Sequence, residues 1–330
     1  MDRNHEKYKA VYSNKKILIT GASGFIGSKV ALFLKDIPCS LFLLTRKPIT
    51  KGLSRARIKV IKADIREFSS WNKYLKDVDF IFHFAAQTSS KLANENPLLD
   101  ININVTPLIS MLSYIEKNDL SPKIIFAGAV TQVGLTYKLP VNEKFTDNPI
   151  TVYDINKLTV EQYLAYYYRA LGKKSVTLRL ANVYGPGPDS SKKDRGIVSV
   201  MIKRALSGEP MTMFGDGSFI RDYLYIDDVA HAFLLAGVNI EKLSGKYFVI
   251  STGKGFTFKE VMEKISEIVK KRTGIASPIV SIPVSDKMSP IELRNFIGDS
   301  TEFKKYTNWS PEVSINKGLD KTIEFLMKGN

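Results

Sequence analysis

The stretch ITGASGFIG, residues 19–27, decides the fold. It closes an apolar run, KILIT at 16–20, with three glycines spaced G-x-x-G-x-x-G, and a helix-forming segment opens inside it. Gly21, Gly24 and Gly27 let the chain turn tightly, let backbone approach a pyrophosphate and let helix and strand pack closely, with the helix N-terminus toward the phosphates. That is the sequence form of a dinucleotide site. The spacing is not the commoner G-x-G-x-x-G, so the glycines carry weight through their position after the first strand of a repeating βα series.

Outward from this turn, strand-like runs alternate with helix-period segments from residue 16 to residue 182. The runs are KILIT at 16–20, SLFLLT at 40–45, IKVIKAD at 58–64, DFIFHFA at 79–85, KIIFAGA at 123–129 and VTLRLAN at 176–182. Such apolar, β-branched runs separated by helices predict a parallel sheet covered on both faces. The expected class is α/β, a doubly wound parallel sheet of the Rossmann type. After Asn182 the pattern changes: GPGP at 185–188 breaks the alternation, and glycine turns such as FGDGS at 214–218 separate shorter elements. These mark a smaller mixed α/β region, in which Thr257 and Glu260 have capping-box spacing before a helix expected to run to Lys271. The expected division gives 1–181 and 224–252 to a dinucleotide-binding domain, and 182–223 and 253–330 to a substrate domain.

Composition narrows the partners. The 330 residues are 44% apolar, enough for a substantial core. Apolar stretches fall short of the roughly 18 residues that a bilayer-spanning helix needs, so no membrane is expected. The first sixteen residues, MDRNHEKYKAVYSNKK, lack the apolar centre of a secretory leader and read as a short loose extension. Cys39 is the sole cysteine, which excludes an internal disulfide and leads to a cytoplasmic expectation. A formal charge of +15 suits anionic partners, yet the lysines are scattered and KKDR at 192–195 is the one local cluster. A basic solvated surface is expected, and no nucleic acid. His5 and His231 have no partners at metal-ligand spacing, so no metal is expected.

The end of the second run chooses between dinucleotides. An acid there holds the ribose hydroxyls of NAD, whereas an arginine receives the 2′-phosphate of NADP. Thr45 stands in the acid's place and Arg46 and Lys47 follow, so charge complementarity favours NADP over NAD. Asp64 and Ile65, closing the third run, are placed to border the adenine. In TVYDINK, residues 151–157, Tyr153 and Lys157 stand i, i+4 on one helix face. A phenol with an ordinary pKa near ~10 is a poor base at neutral pH, but an adjacent ammonium and an oxidised nicotinamide favour the phenolate. Such a pair moves a proton while the cofactor moves a hydride.

Together these features resemble the extended short-chain dehydrogenase/reductase superfamily, in particular the nucleotide-sugar epimerases, dehydratases and reductases related to UDP-galactose 4-epimerase. The resemblance runs from TGASGFIG through HFAA at 83–86, NPITVYDINK, RLANVYGPG at 179–187 and GDGSFIRDYLYIDDVA at 215–230 to NWSP at 308–311. It implies a nucleotide-diphosphate sugar as substrate, a homodimer, and a role for each matched residue. Tyr153 is implied as the acid/base and Lys157 as the group that holds the nicotinamide ribose. Implied cofactor contacts are Ser23, Phe25 and Ile26 in the glycine turn, Phe84, Ala85 and Ala86 after the fourth run, Asn104 on the helix behind the cofactor, and Ala127 and Ala181. Implied substrate contacts are Thr88, Ala129, Asn182 toward the sugar or diphosphate, Arg221 toward the phosphates, and Glu292 or Arg294, in IELRNFIGD, near the nucleotide ribose or phosphate.

One stretch departs from the pattern. The family usually places serine or threonine at the end of the fifth strand; aligned on Gly134, that position in FAGAVTQVG (126–134) is Ala129. Family dehydratases follow it with an acidic pair, where Val130 and Thr131 stand here, which disfavours elimination of water across C5 and C6 of a sugar. Thr131 is the nearest remaining hydroxyl and a candidate for the proton path. Two enzyme readings remain, a nucleotide-sugar 4-epimerase and an NADPH-dependent reductase of a nucleotide 4-keto sugar. The missing hydroxyl leaves a third, a cofactor- and sugar-nucleotide-binding protein of impaired activity.

Overall fold

The computed structural model of the protein describes residues 4–46, 56–188, 196–284 and 288–329. Lys47 and the basic cluster at 192–195 lie outside the described residues. Twelve strands occur among the described residues: β1 (Lys16–Thr20), β2 (Ser40–Thr45), β3 (Arg57–Lys62), β4 (Phe80–His83), β5 (Lys123–Ala129), β6 (Ser175–Leu180), β7 (Asn182–Tyr184), β8 (Met211–Phe214), β9 (Ile220–Tyr225), β10 (Lys246–Ile250), β11 (Gly255–Thr257) and β12 (Ile279–Ile282). Seven of them form one parallel sheet in the order β10-β6-β5-β4-β1-β2-β3. All six runs expected as strands are strands of this sheet. Chain order reverses between β1 and β4, which makes the crevice beyond their carboxyl ends the place for a ligand.

Alternation along each strand shows why both faces are covered. Ile17, Ile19, Leu41, Leu43, Phe80, Phe82 and Ile125 point into one core, while Leu18, Leu44, Ile81, Ile124 and Phe126 point into a second core on the opposite face. The second core is roofed partly by the helices Pro97–Asn104 and Thr106–Lys117. Residues 97–117 have the length and apolarity of a bilayer span. Here Leu108, Met111, Leu112 and Ile115 are buried against the sheet.

The N-terminus differs from the loose extension expected of it. His5–Tyr12 is a helix whose Tyr8 and Tyr12 are wholly buried. Tyr8 Oη lies 2.8 Å from His231 Nδ1, Tyr12 Oη donates to the Leu234 carbonyl at 2.6 Å, and the Tyr12 ring meets Phe80 edge-on. The two rings stand i, i+4 and share one face, so a polar average hides an anchored helix.

The second region carries a small sheet, β11-β9-β7, and a parallel pair, β12-β8. The helix Phe258–Thr273 begins at the expected capping box, with Thr257 Oγ1 accepting from the Glu260 amide at 3.1 Å and Glu260 Oε2 accepting from the Thr257 amide at 2.7 Å. Asp222 on β9 accepts from the amides of Thr252, Gly253 and Gly298, and Asp228 accepts from those of Glu312 and Val313. Two buried carboxylates thus fix the C-terminal segments to the sheet.

A third buried ionic group supports the end of β5. Arg179 on β6 bonds Glu161 through Nε at 3.0 Å and grips both oxygens of Asp147, while Gln132 donates to Glu161 and accepts from the Ala129 amide at 2.9 Å. Replacing Arg179 by Met strands the Glu161 carboxylate in the interior. Urea unfolding of this variant is expected to show a loss of about 3–5 kcal/mol; a loss below about 1 kcal/mol would show that the network is not needed.

Candidate active site

The glycine turn is seated against the segment leaving β4. Gly21 has φ +65°, and a Cβ there would lie 2.7 Å from the Ala85 amide nitrogen. Thr20 Oγ1 accepts from the amides of Phe84 and Ala85, both at 3.1 Å, which brings these two residues and Ala86 alongside the turn. A Cβ on Gly27 would lie 2.4 Å from the Gly21 carbonyl oxygen, so the helix Phe25–Leu34 starts directly on the loop. No side chain caps that helix at Gly24. Its first amides are available to an anion. Gly187 of the GPGP segment packs on the Phe25 ring, leaving 2.6 Å for a Cβ, and so brings the start of the second region onto the turn.

At the carboxyl ends of β2 and β3, buried Thr45 donates to Ser23 Oγ at 2.6 Å. Arg46 is largely exposed, with Nη1 4.0 Å from Asp64. Asp64 is also held at two points by Arg66, at 3.0 and 2.9 Å, and this bond keeps its carboxyl below the usual range. Ile65 is buried and its carbonyl accepts from Trp71 Nε1. Two guanidiniums thus flank one carboxylate, and the local charge is positive.

Behind the segment after β4 lies a buried polar knot. Asp100 accepts from Gln87 Nε2 at 2.8 Å, Asn104 Nδ2 at 3.0 Å and Asn156 Nδ2 at 2.7 Å, and Asn104 in turn bonds both the amide and the carbonyl of Gln87. Asn104 therefore holds the loop that carries exposed Thr88.

Tyr153 and Lys157 lie on the first turns of the helix Val152–Leu171, which Thr151 caps. Lys157 is buried; its Nζ donates to the Ala127 carbonyl of β5 at 2.9 Å and sits 4.6 Å from the Phe126 ring centre and 5.8 Å from that of Tyr153. Burial pulls its pKa from 10.5 down to about 8, against the pull of Asp100. Ala127 and Ala129 are buried on β5, and Thr131 is in the single 3₁₀ turn that follows, Val130–Val133. The Thr131 hydroxyl donates to Asp154, the residue after Tyr153. Asp154 also takes the Thr151 hydroxyl at 2.6 Å, and burial raises its carboxyl above the usual range.

The second region meets this group from across the crevice. Ala181, buried, follows β6, and Asn182 opens β7 with its Oδ1 buried and without a partner among the described residues. Arg221 on β9 is buried, and its guanidinium donates to the carbonyls of Glu292 and Arg294. It thereby fixes the segment whose Arg294 acts electrostatically on Asp154. Arg294 Nε is buried without a partner among the described residues, and Glu292 is exposed. A partnerless buried acceptor and donor, placed at the carboxyl edge of the sheet, fit a polar ligand there.

The model of the NAD dependent epimerase/dehydratase family matches residues 17–251. The chain belongs to that family. It is 27% identical over 324 residues to the UDP-glucose 4-epimerase of Mycolicibacterium smegmatis, covering 94% of this chain and 98% of that one. Among solved structures, the UDP-glucose 4-epimerase of Thermotoga maritima with UDP-glucose is 32% identical, with a TM-score of 0.85 over 95% of this chain and 99% of that one. That of Thermus thermophilus with NAD is 26% identical, with a TM-score of 0.81 over 94% and 99%. The resemblance to the extended short-chain dehydrogenase/reductases is therefore borne out, as is the doubly wound fold.

Sequence reasoning passed over Asp154, Asp100, Asn156, Gln87 and Arg66. Asp100 and Asn104 stand i, i+4, and Arg66 is two residues past Asp64, so local spacing held part of the signal. Thr131, which joins Asp154 to β5, is 23 positions from it, and the Asp100 partner of Asn156 is 56 positions away, although Thr151 is only 3 from Asp154.

His83, closing β4, is wholly buried with Nδ1 3.2 Å from Thr20 Oγ1; burial, aided by the Lys157 charge, pushes its pKa down to about 3. Its folded value thus lies below the unfolded value near ~6.5, so its contribution is full above that pH and is lost as pH falls toward 3. Urea unfolding between pH 6 and pH 4 is expected to be less pH-dependent in His83→Gln, by about 1.4 kcal/mol per pH unit. Equal slopes would show that His83 takes up its proton in the folded state.

Proposed function

We propose that the protein is a nucleotide-sugar 4-epimerase in which Tyr153 removes and returns the proton of the sugar hydroxyl. When bound, the nicotinamide dinucleotide supplies the group that takes the hydride from C4 and gives it back to the other face. The observation that carries this reading is the junction of Tyr153 and Lys157 with β5, in a chain similar over nearly its whole length to UDP-glucose 4-epimerases. Among the described residues Lys157 hydrogen-bonds one acceptor, the Ala127 carbonyl. An ammonium has three hydrogens, so the others serve the nicotinamide ribose, and its charge favours the phenolate of Tyr153. The partnerless Asn182 Oδ1 and Arg294 Nε support a sugar-diphosphate ligand, with Arg221 holding Arg294 in place.

The same reading gives 1–181 and 224–252 to the dinucleotide and 182–223 and 253–330 to the nucleotide sugar. It includes a homodimer, supported by exposed apolar side chains on the adjacent helices Pro97–Asn104 and Val152–Leu171, among them Leu98, Ile155 and Tyr166. With Cys39 buried and unpaired, we place the protein in the cytoplasm.

A specific observation supports the reductase as a second reading. Thr45 replaces an acid, and Arg46 and Arg66 flank Asp64, an arrangement that suits the 2′-phosphate of NADP. Incubation with UDP-glucose, UDP-galactose and their N-acetylated forms, without added cofactor, is expected to interconvert a C4 pair with no net change in cofactor. NADPH consumption with a 4-keto sugar alone would replace epimerase by reductase. Tyr153→Phe is expected to lower turnover about 10²-fold or more with cofactor affinity kept; near-normal turnover would remove Tyr153 from its role. By calorimetry, Arg46→Ala is expected to weaken NADP about 10-fold while sparing NAD, and equal loss for both would end the 2′-phosphate argument.

A further inference from the structure

The carboxylate of Asp154 is fully buried and ends in two hydroxyls, Thr131 on Oδ1 and Thr151 on Oδ2. Thr151 Oγ1 itself accepts the Asp154 amide at 3.2 Å, so its hydrogen is directed to the carboxylate. An ionised carboxylate is acceptor-only, and, against the effect of burial, the two hydroxyls and the charge of Arg294 favour that form. A threonine hydroxyl has one hydrogen. That of Thr131 is taken by Asp154, which leaves Oγ1 with lone pairs alone for anything else that approaches it. Thr131 is partly exposed in the turn just past Ala129, where β5 ends, and Asp154 follows Tyr153 directly. Burial strengthens the arrangement, because a desolvated carboxylate holds a hydroxyl donor more tightly than a hydrated one.

We propose that Asp154 is a positioning residue that fixes Thr131 Oγ1 as an obligate hydrogen-bond acceptor, so that the site selects nucleotide sugars presenting a neutral hydroxyl or amide donor there and disfavours those presenting a carboxylate. This rests on the reading that a nucleotide sugar occupies the crevice. No proton is transferred through Thr131: the sugar hydroxyl that reacts gives its proton to Tyr153, and Thr131 accepts from a neighbouring donor on the ring. The oxygen that Ala129 lacks is supplied with its polarity set. In an amide replacement, Asp154→Asn, a new N–H group is able to donate to Thr131, which turns its hydrogen outward.

The test is a binding cycle on the full-length protein, using UDP, UDP-glucose, UDP-N-acetylglucosamine and UDP-glucuronate as calorimetric probes. Thr131→Val and Asp154→Asn are each expected to weaken the two neutral UDP-sugars about 5- to 10-fold relative to UDP, and Thr131→Ser to restore them. The double variant is expected to be no weaker than Thr131→Val alone, and Asp154→Asn to narrow the gap between UDP-glucose and UDP-glucuronate. Additive losses, or equal losses for UDP and all three sugars, would overturn the proposal. If Asp154→Asn does not fold, Thr131→Val against Thr131→Ser decides alone: unchanged sugar affinity in Thr131→Val refutes it. Turnover is scored separately, so an absent C4 interconversion counts against the epimerase reading, while the affinities judge Asp154.

Discussion

A single buried ammonium organises this molecule's candidate site. Lys157 is sealed between β5 and its own helix, where a charge lacking partners would be costly. Three features make it tolerable: the Ala127 carbonyl, the face of Phe126, and the negative charge of Asp100. Asp100 is itself tied down by Gln87, Asn104 and Asn156, from three segments. The cation therefore fixes more than its own position. It sets the rotation of the helix Val152–Leu171, and one turn back that rotation carries Tyr153, whose ring centre is 5.8 Å from the ammonium. The polar knot around Asp100, which touches neither Tyr153 nor the glycine turn in sequence, acts as the counter-charge that lets the lysine stay inside.

The large features were legible because they rest on short periods. Alternation of Ile17, Leu18 and Ile19 between two cores is written in the strand itself, and the glycines of the first turn are needed where a Cβ would strike Ala85 or Gly21. The pairing of Tyr153 with Lys157 follows from one helical turn. What was hidden depends on distance. The N-terminal helix looked loose because its lysines and glutamate outweigh two tyrosines, whose partners His231 and Leu234 are more than two hundred positions away. The resemblance implies Arg221 as a phosphate ligand; its guanidinium is turned onto two carbonyls of the segment it stabilises. In the reading proposed above, its part is to hold the segment that carries Arg294.

The two regions share one apolar core, and buried acids add fixed points to it. Asp222 collects amides from 252, 253 and 298, and Asp228 collects those of 312 and 313, so strand β9 and the helix after it anchor three later segments. Trp309 Nε1 donates to the Asp228 carbonyl, so NWSP closes the corner that GDGSFIRDYLYIDDVA opens. A carboxylate that accepts several amides gains enough to offset its desolvation, and it enforces one geometry where apolar packing alone permits several.

Seen in these terms, Ala129 is less a lost group than a change in how the pocket obtains its oxygen. A serine at that position would carry a rotatable hydroxyl, able to donate or accept as the reaction demands. Thr131 lies two residues later, and its hydrogen is engaged by a carboxylate that no water reaches. The candidate site therefore keeps an oxygen on the turn after β5, bonded to the residue that follows Tyr153, at the cost of its freedom to donate. In the epimerase we propose, proton transfer then falls to Tyr153, with the Lys157 charge at its side, and discrimination among sugars to the Thr131–Asp154 pair. Separating these two tasks makes the acid/base step independent of which substituent the sugar presents next to the reacting carbon, and leaves the choice of sugar to a hydrogen bond whose direction the interior has already fixed.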